Sequence, residues 1–407
     1  MKNLPRLKIH NFGALSNVDT EFNKYTLFIG PQGSGKSTIA KLYSLFTWLE
    51  KRLKRGMLTI KYVEQYQRFR SSLCAYSRLT DYFHDDSRIE FFGRFYTFIY
   101  KDNTLKITPT EETDSGSAMS KVLYVPAERN FLTTIGSPAN IKSLPESVST
   151  FLGEFEMARA AYTHGYEIPV GDAVFEYDKL NGISWLRGKD YRIRLSAASS
   201  GYQSALSLCL VSRYISDKVE NSKRDANELS MAEREVISRQ VAAILDMDLS
   251  DEVKAAALGQ LSNRFSYSEF INIVEEPEQN LYPSSQKDIL YYLISIANRL
   301  DDNKLVCTTH SPFMINYLTL AAKAWQLCQK VCDKPHLLER IHAVVPENSI
   351  INPDFLRIYQ LTDGQARLLP LNYGLPSDAN LLNLEAGLTN ELFGEMLEIE
   401  EDIEYGC

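Results

Sequence analysis

A stretch near the N-terminus has the residue types and spacing of a phosphate-binding loop, G-x-x-x-x-G-K-[ST]: Gly30, Pro31, Gln32, Gly33, Ser34, Gly35, Lys36, Ser37 and Thr38. Its glycines allow backbone angles and close approaches that a Cβ atom would prevent, so successive N–H groups can point inward at an anion. The Lys36 ammonium can reach the β- and γ-phosphates, and the Ser37 hydroxyl can ligate Mg²⁺. The stretch therefore predicts a nucleotide-binding site that uses Mg²⁺.

The residues on either side of this loop favour the same interpretation. Tyr25–Ile29 is a short apolar run typical of a buried strand, and the apolar spacing over 38–49 predicts a helix whose N-terminus faces the phosphates. The alternative is a glycine-rich turn that binds no ligand. The predicted strand and helix around the loop argue against that alternative.

Two carboxylates follow a second apolar strand, at the position where parallel α/β sheets bind ligands. Phe270–Val274 predicts the strand, and Glu275 and Glu276 come directly after it. Hydrolysis of a nucleotide needs one carboxylate to hold Mg²⁺ and a second group to orient or deprotonate the attacking water. We assign Glu275 to the metal and Glu276 to the water. The alternative is an exposed acidic turn.

A histidine follows the next predicted strand. Lys304–Thr309 is largely apolar and ends at His310, whose imidazole can hydrogen-bond a γ-phosphate and respond to its loss. A single histidine after a strand is commonly an ordinary turn residue. Its position after the carboxylate strand favours a catalytic role for His310.

Ser199, Ser200 and Gly201 form a second potential phosphate site, because an apolar helix begins there. One chain cannot easily apply two helix N-termini to one γ-phosphate, whereas a dimer can. The motif therefore predicts that two chains hold two nucleotides between them, each chain capping the nucleotide of the other. The alternative is a serine that only caps its own helix.

A charged pair, Glu128-Arg129, follows the predicted strand Lys121–Val125. The end of a buried strand is where α/β proteins place site residues. The pair is therefore a candidate part of the same site, and the alternative is a salt-bridged surface turn.

Composition limits the classes of function. The net charge of −8 excludes a global basic field for nucleic acid and leaves a local patch open. The basic cluster Lys51–Arg55, at the end of the first predicted helix, either complements the helix dipole or contacts a DNA backbone. No window approaches 18 apolar residues and the N-terminus has no apolar signal segment, so we expect a cytoplasmic protein that does not enter a membrane.

The remaining pattern alternates strands and helices, as a parallel sheet requires. We predict two or three strands over 6–29, mostly helix over 38–92, a hairpin over Phe95–Thr108 that turns at Asp102-Asn103, an antiparallel meander over Ala173–Leu195, a helical arm over 216–260, a strand over Arg357–Leu361 and a helix over 389–401. The acidic tail over 398–404 is a frayed helix end or a partner contact.

Together these motifs resemble the ABC-type ATPase superfamily, and within it the SMC, Rad50 and RecF branch and the related AAA-type ATPases of bacterial defence. The resemblance covers most of 6–320 and is carried by the phosphate-binding loop, the opening 7–15, 124–129, 199–204, 274–281 and 309–312. It implies an α/β fold with an ABC-ATPase (P-loop NTPase) core, a mixed sheet, an antiparallel β subdomain and an inserted helical arm.

The same resemblance implies a division of the chain. An ATPase domain would occupy 1–320, with helical insertions at about 39–92 and 216–260. A C-terminal region over 321–407 would complete the ATPase lobe and contact partners.

The chain departs from the family pattern at several positions. The signature is Ser-Ser-Gly-Tyr-Gln over 199–203 instead of Ser-Gly-Gly-Gln, and Glu275 stands where many relatives have aspartate. No glutamine is assigned to the position that relatives call the Q-loop. The resemblance therefore leaves Arg129 as a candidate sensor of the γ-phosphate.

Three functions fit the resemblance. The first is an ATP-hydrolysing subunit that forms a homodimer or higher oligomer and regulates a separately encoded nuclease or toxin in anti-phage defence, as in Septu-, PARIS- and retron-associated ATPases. About 90 residues follow 310–312 without a nuclease motif, so no nuclease activity of its own is expected. The alternatives are a RecF/SMC-like DNA repair or recombination ATPase that binds DNA, and the nucleotide-binding subunit of a transporter.

Overall fold

The computed structural model describes residues 4–110, 119–134, 144–222, 231–247, 250–331 and 334–405. Within them, one mixed sheet carries eleven strands, a second sheet carries four and a third pairs two. The strands are β1 Arg6–Phe12, β2 Leu15–Glu21, β3 Tyr25–Ile29, β4 Phe83–Phe92, β5 Tyr96–Lys101, β6 Thr104–Pro109, β7 Met119–Val125, β8 Tyr166–Glu167, β9 Val174–Asp178, β10 Ile183–Arg187, β11 Arg192–Arg194, β12 Tyr267–Glu275, β13 Lys304–Thr309, β14 Leu356–Thr362, β15 Gln365–Leu368, β16 Leu371–Asn372 and β17 Leu375–Pro376.

Helices cover the faces of the large sheet and extend from it. They are α1 Lys36–Lys54, α2 Ile60–Val63, α3 Phe131–Thr134, α4 Glu146–Ala161, α5 Ser200–Asn221, α6 Met231–Leu245, α7 Asp251–Phe265, α8 Pro283–Asn298, α9 Pro312–Cys328, α10 Pro335–Val344 and α11 Leu381–Tyr405. In the described residues, no helix has both the length and the apolar composition that crossing a membrane requires.

The large sheet has the strand order β6-β5-β4-β1-β2-β15-β14-β3-β13-β12-β7. The run β14-β3-β13-β12-β7 is parallel throughout. Strands β3, β12 and β13 are buried along nearly their whole length, as strands covered on both faces are. Because parallel strands end at one edge, the residues that follow β3, β7, β12 and β13 meet there. The predicted α/β fold with a mixed sheet is confirmed.

The other part of the same sheet is antiparallel and rests on aromatic side chains. Strands β2, β1, β4, β5 and β6 pair in that order, and α1 packs against them. The Phe46 ring of α1 lies 5.6 Å from the Phe69 ring and 5.2 Å from the Phe91 ring, measured between centroids. Such ring pairs add to the burial of apolar area. They hold α1, and with it the loop at its N-terminus, against the sheet.

The helix predicted over 38–92 is correct for α1 and wrong for β4. Strand β4 pairs with β1 in register, with Ile89 opposite Ile9. Its charged residues at 85, 86, 88 and 90 interrupt the apolar run, so the local sequence does not show the alternation of a strand. Pairing with β1, which is distant in sequence, determines its conformation.

Two local predictions are confirmed. The hairpin is formed by β5 and β6, and its turn residues Asp102 and Asn103 have φ angles of 50° and 57°, as a two-residue hairpin turn requires. The meander is formed by β9, β10 and β11, to which β8 adds a fourth antiparallel strand.

The helical arm consists of α6 and α7, which pack on each other; residues 223–230 and 248–249 of the predicted arm lie outside the described residues. Arg55, which follows α1, anchors the arm. Its buried guanidinium pairs with Glu233 of α6 and donates hydrogen bonds to the carbonyl oxygens of Arg264 and Phe265 at the end of α7. The end of the helix that starts at the phosphate-binding loop is thereby joined to the base of the arm.

The basic cluster Lys51–Arg55 makes contacts within the chain. The Lys51 ammonium lies 5.7 Å from the centroid of the Tyr267 ring, and burial lowers its pKa to about 8. The Lys54 ammonium lies 4.5 Å from the centroid of the Phe95 ring. These packing contacts, together with the burial of Arg55, favour the structural interpretation of the cluster over a DNA contact.

The C-terminal region contributes to the central sheet. Strand β14 lies between β3 and β15, and β15 pairs with β2. The predicted strand over Arg357–Leu361 is thus confirmed, and the helix predicted over 389–401 is the middle of the longer α11.

Candidate functional site

The loop between β3 and α1 has a shape that its glycines make possible. Gly30, Gly33 and Gly35 have φ angles of 149°, 77° and 94°. A Cβ atom on Gly30 would lie 2.4 Å from the carbonyl oxygen of Leu361, and one on Gly35 would lie 2.3 Å from the side chain of Leu15. Both approaches are closer than side chains tolerate, so these positions require glycine.

The N-terminus of α1 is open to a ligand. Gly35 occupies the N-cap position and offers no side chain, so the N–H groups of the first turn have no side-chain cap. Uncapped N–H groups and the helix dipole together favour an anion at this point.

Lys36 lies beside the loop and the predicted catalytic histidine. Its ammonium donates hydrogen bonds to the carbonyl oxygens of Gly30 and Pro31, each at 2.8 Å, and lies 3.5 Å from Nδ1 of His310. Burial lowers the pKa of Lys36 to about 8, and three nearby glutamates oppose this shift. The Lys36 ammonium is thus already positioned beside the loop where a phosphate chain would bind.

The structure brings the two predicted catalytic residues together. Oε1 of Glu276 lies 3.4 Å from Nε2 of His310, and each side chain is about one-third exposed. The hydrogen bond with His310, above all other causes, holds the pKa of Glu276 below its ordinary value. Glu276 has a φ angle of 44° and donates its N–H to the carbonyl oxygen of Thr308, which ties the two strand ends together.

A cavity of about 610 Å³ lies over this edge of the sheet. One wall is formed by 32–38 of the loop with Glu276 and His310. The other wall was not predicted from the sequence and consists of Gly13, Ala14, Asp81, Tyr82 and His84. Gly13 and Ala14 form the turn between β1 and β2, whereas three of the missed residues, Asp81, Tyr82 and His84, come from the segment interpreted as helix. The sequence held no local signal for them, because only the pairing of β4 with β1 brings them to the loop.

Glu275 and Ser37, the predicted metal ligands, differ in exposure. Ser37 is half-buried and lines the cavity, whereas Glu275 is buried and lies outside the cavity lining. Oε2 of Glu275 accepts a hydrogen bond from the N–H of Ala127 at 3.3 Å, and its Oε1 is buried with no hydrogen-bond partner among the described residues. A hydroxyl and a carboxylate are both oxygen ligands of the kind that Mg²⁺ prefers, but of the two only Ser37 lines the cavity.

Arg129 faces the protein interior instead of the cavity. Its side chain is fully buried, and two of its nitrogens donate hydrogen bonds of 2.6 Å to the carbonyl oxygens of Glu275 and Glu276. Burial lowers the pKa of Arg129 to about 10, against the effect of the nearby glutamates. In this arrangement Arg129 fixes the backbone of both carboxylates, and its role as a sensor of the γ-phosphate stays a prediction.

Glu278 is a further site residue that the sequence analysis did not single out. Its Oε1 accepts hydrogen bonds from the hydroxyl of Thr309 at 2.6 Å and from the N–H of His310 at 2.8 Å. Burial raises the pKa of Glu278. The sequence signal for Glu278 was its position two residues after Glu276. A turn after β12 keeps the carboxylates of Glu276 and Glu278 near the end of β13.

Ser199, Ser200 and Gly201 lie at the N-terminus of α5 and are not among the residues that line the cavity. Both serines are exposed, and Ser199 caps the helix by accepting a hydrogen bond from the N–H of Tyr202 at 3.5 Å. A Cβ atom on Gly201 would lie 2.7 Å from the carbonyl oxygen of Asn280. The motif therefore packs against the turn that follows Glu276 and presents its serines outward.

Comparison with protein families gives one match. Residues 1–115 match the family model AAA_15, described as an AAA ATPase domain. The matched segment contains the phosphate-binding loop, α1 and strands β1 to β6. No curated protein matches the chain at a significant level. The N-terminal part of the chain is thus similar in sequence to AAA ATPase domains.

Solved structures align with the chain over most of its length. An SMC head bound to the C-winged helix domain of ScpA has a TM-score of 0.41 and 10% identity, covering 91% of this chain and 98% of that chain. The recombination mediator protein RecF has a TM-score of 0.31 and 13% identity, covering 91% and 99%. A dimeric ATP-binding cassette bound to ADP and Pi has a TM-score of 0.27 and 12% identity, covering 90% and 99%. At TM-scores this low, residue roles rest on the chain's own geometry.

Proposed function

We propose that the chain binds ATP–Mg²⁺ in the cavity, hydrolyses it, and uses its nucleotide state to regulate a separately encoded nuclease or toxin in anti-phage defence. The observation that carries the ATPase part is the convergence of Lys36, Glu276 and His310 on one cavity beside an uncapped helix N-terminus. The defence role rests on the resemblance of the motifs to defence ATPases.

The geometry supports a division of labour among the site residues. The N–H groups of the loop and the ammonium of Lys36 would bind the phosphates. Glu276, kept ionised by the hydrogen bond with His310, would accept a proton from the attacking water, and His310 would contact the γ-phosphate. Ser37 and Glu275 would hold Mg²⁺, which neutralises charge that develops on the phosphate oxygens.

Arg129 and Glu278 would act as positioning residues. Arg129 fixes the carbonyl oxygens of the two carboxylate residues, and Glu278 fixes the backbone before His310. Groups held in this way need no rearrangement when the reaction begins.

Self-association is part of the proposal. The exposed serines at the N-terminus of α5 lie outside the cavity of their own chain, which supports a role in completing the site of a second copy. Two chains would then enclose two nucleotides, and hydrolysis would release the pair.

The test of this proposal is the mass of the Glu276→Gln variant with and without ATP–Mg²⁺, measured by mass photometry beside wild-type ATP turnover. We expect turnover to fall by about 100-fold or more and ATP to convert the variant to dimers or larger species. The control is Glu347→Gln, which changes an exposed glutamate away from the cavity lining and should leave turnover unchanged.

Two outcomes would contradict the proposal. Turnover of Glu276→Gln within threefold of wild type would remove Glu276 from the reaction. Stimulation of wild-type turnover by duplex DNA, with a steep dependence on salt, would instead favour the RecF-like alternative.

A further inference from the structure

Helix α11 leaves the body of the protein soon after it begins. Its first N–H, on Leu381, donates a hydrogen bond to Oε1 of Gln360 at 2.8 Å, and Leu382 packs against the core. From Leu384 to Glu400 nearly every residue is exposed. A long segment of this helix is therefore available to another molecule.

The exposed segment carries large apolar side chains at helical spacing. Their exposed fractions lie between 44% and 64%, and they are Leu384, Leu388, Leu392, Phe393, Met396, Leu397 and Ile399. Intervals of four, four, four and three residues place 384, 388, 392, 396 and 399 along one side of the helix. Single exposed leucines are ordinary, whereas a continuous apolar stripe on one helix marks an interaction site.

The charges around the stripe indicate the kind of partner. Residues 381–407 contain eight acidic residues and no lysine, arginine or histidine. The described and exposed ones are Glu385, Glu391, Glu395, Glu398 and Glu400. Pairing with α11 of a second copy would bring like charges together, and an anionic membrane surface would repel the helix. Charge complementarity favours an apolar groove with a basic rim.

The N-terminus of α11 lies close to the proposed nucleotide site. Gln360 of β14, which holds the first N–H of α11, is paired in the sheet with Ile29, the last residue of β3. The phosphate-binding loop starts at the next residue, Gly30, against the carbonyl oxygen of Leu361. A molecule bound to α11 would thus be attached one strand away from the loop.

We propose that α11 is the docking helix for the separately encoded effector, whose matching surface is an apolar groove lined at its edges by lysine or arginine. The assignment of the occupant rests on the proposed function, because that function requires a protein partner. The recognition mode is an amphipathic helix in a groove, in which the apolar stripe supplies affinity and the acidic residues supply selectivity.

The probes are two synthetic helical peptides of about 20 residues with the same leucine stripe, one flanked by lysines and one by glutamates. Fluorescence anisotropy with the full chain should show binding of the lysine-flanked peptide at least about tenfold tighter than of the other, weakened by salt. In Leu388→Glu/Leu392→Glu that binding should be lost. The control Leu180→Glu changes an equally apolar, highly exposed residue at the turn between β9 and β10 and should keep it.

Several results would overturn the docking role. Equal affinity of the full chain for the two peptides would contradict the docking role. Unchanged peptide binding by the double variant, with unchanged helicity by circular dichroism, would contradict it as well. Loss of oligomer mass in the double variant assigns α11 to a second copy, and flotation with phosphatidylglycerol vesicles assigns it to a membrane. ATP turnover of the double variant separates the proposals, since normal turnover without selective peptide binding leaves the ATPase proposal standing.

Discussion

The two helix N-termini that the sequence presents as phosphate sites differ in their capping and in the residues that surround them. Helix α1 follows Gly35 at its N-cap, has no side-chain cap, and faces a cavity lined by Lys36, Glu276 and His310. Helix α5 begins behind Ser199, whose hydroxyl already accepts the N–H of Tyr202, and its serines face outward. One helix N-terminus thus lies in a concave site, and the other lies on an exposed surface.

This comparison separates what a helix N-terminus offers from what makes it a binding site. The dipole and the unpaired N–H groups are present at both helices. Only α1 adds a cation and a concave surface that carries a carboxylate and a histidine. If α5 also binds phosphate, its missing wall must come from another molecule.

The largest effect is expected from removing the cation at α1. Lys36→Ala should lower ATP affinity by about 100-fold, because charge-assisted hydrogen bonds to phosphate contribute on the order of 1.5–3 kcal/mol. Isothermal titration calorimetry measures the change. Lys41→Ala, five residues further along the same helix and outside the cavity lining, is the matched control. Affinity within threefold of wild type for Lys36→Ala would remove the distinction between the two helices.

A smaller effect should follow from pH. Burial lowers the pKa of Lys36 to about 8, and bound phosphates would raise it, so ATP binding should take up a proton above pH 8. Well below pH 8 the ammonium is charged in both states and affinity should be flat. Above it, affinity should fall, at most about tenfold per pH unit. Titrations in two buffers of different ionisation enthalpy count the protons.

Lys36→Arg is the control for that titration, because a guanidinium stays charged over this range. Its affinity should not change between pH 8 and pH 9. An equal fall in both proteins would assign the proton to another group.

The sequence predicted the parts of this site that local patterns encode. The loop from Gly30 to Thr38 has a fixed motif, and the strand ends before Glu276 and His310 follow from runs of apolar residues. These strands are buried on both faces, so their composition alone identifies them.

The parts that were not predicted depend on contacts between distant segments. Strand β4 is defined by its pairing with β1, which is distant in sequence. That pairing also places Tyr82, which precedes β4, in the second wall of the cavity. The sequence correctly placed Arg129 after the end of a strand. It did not predict whether the side chain faces the cavity or the interior, because that position allows both. The carbonyl oxygens of Glu275 and Glu276, which draw it inward, are about 146 positions away in the chain.

The smallest effect tests α5 against a matched helix. Ser250 caps α7 as Ser199 caps α5, accepting a hydrogen bond from the N–H of Val253 at 3.4 Å. Ser199→Ala and Ser250→Ala should each lower the free energy of unfolding by about 1 kcal/mol, measured by denaturant unfolding. If Ser199 has no other role, the two variants will behave alike in every assay.

The two serine variants should differ in one assay, which measures ATP-driven assembly. In the Glu276→Gln background, Ser199→Ala should weaken ATP-driven assembly, whereas Ser250→Ala should leave it unchanged, with mass photometry as the readout. The expected weakening is about tenfold in the assembly constant, since one hydrogen bond to a charged phosphate is lost. Equal assembly in both variants would make Ser199 a helix cap only, and would leave α1 as the nucleotide-binding terminus of the two.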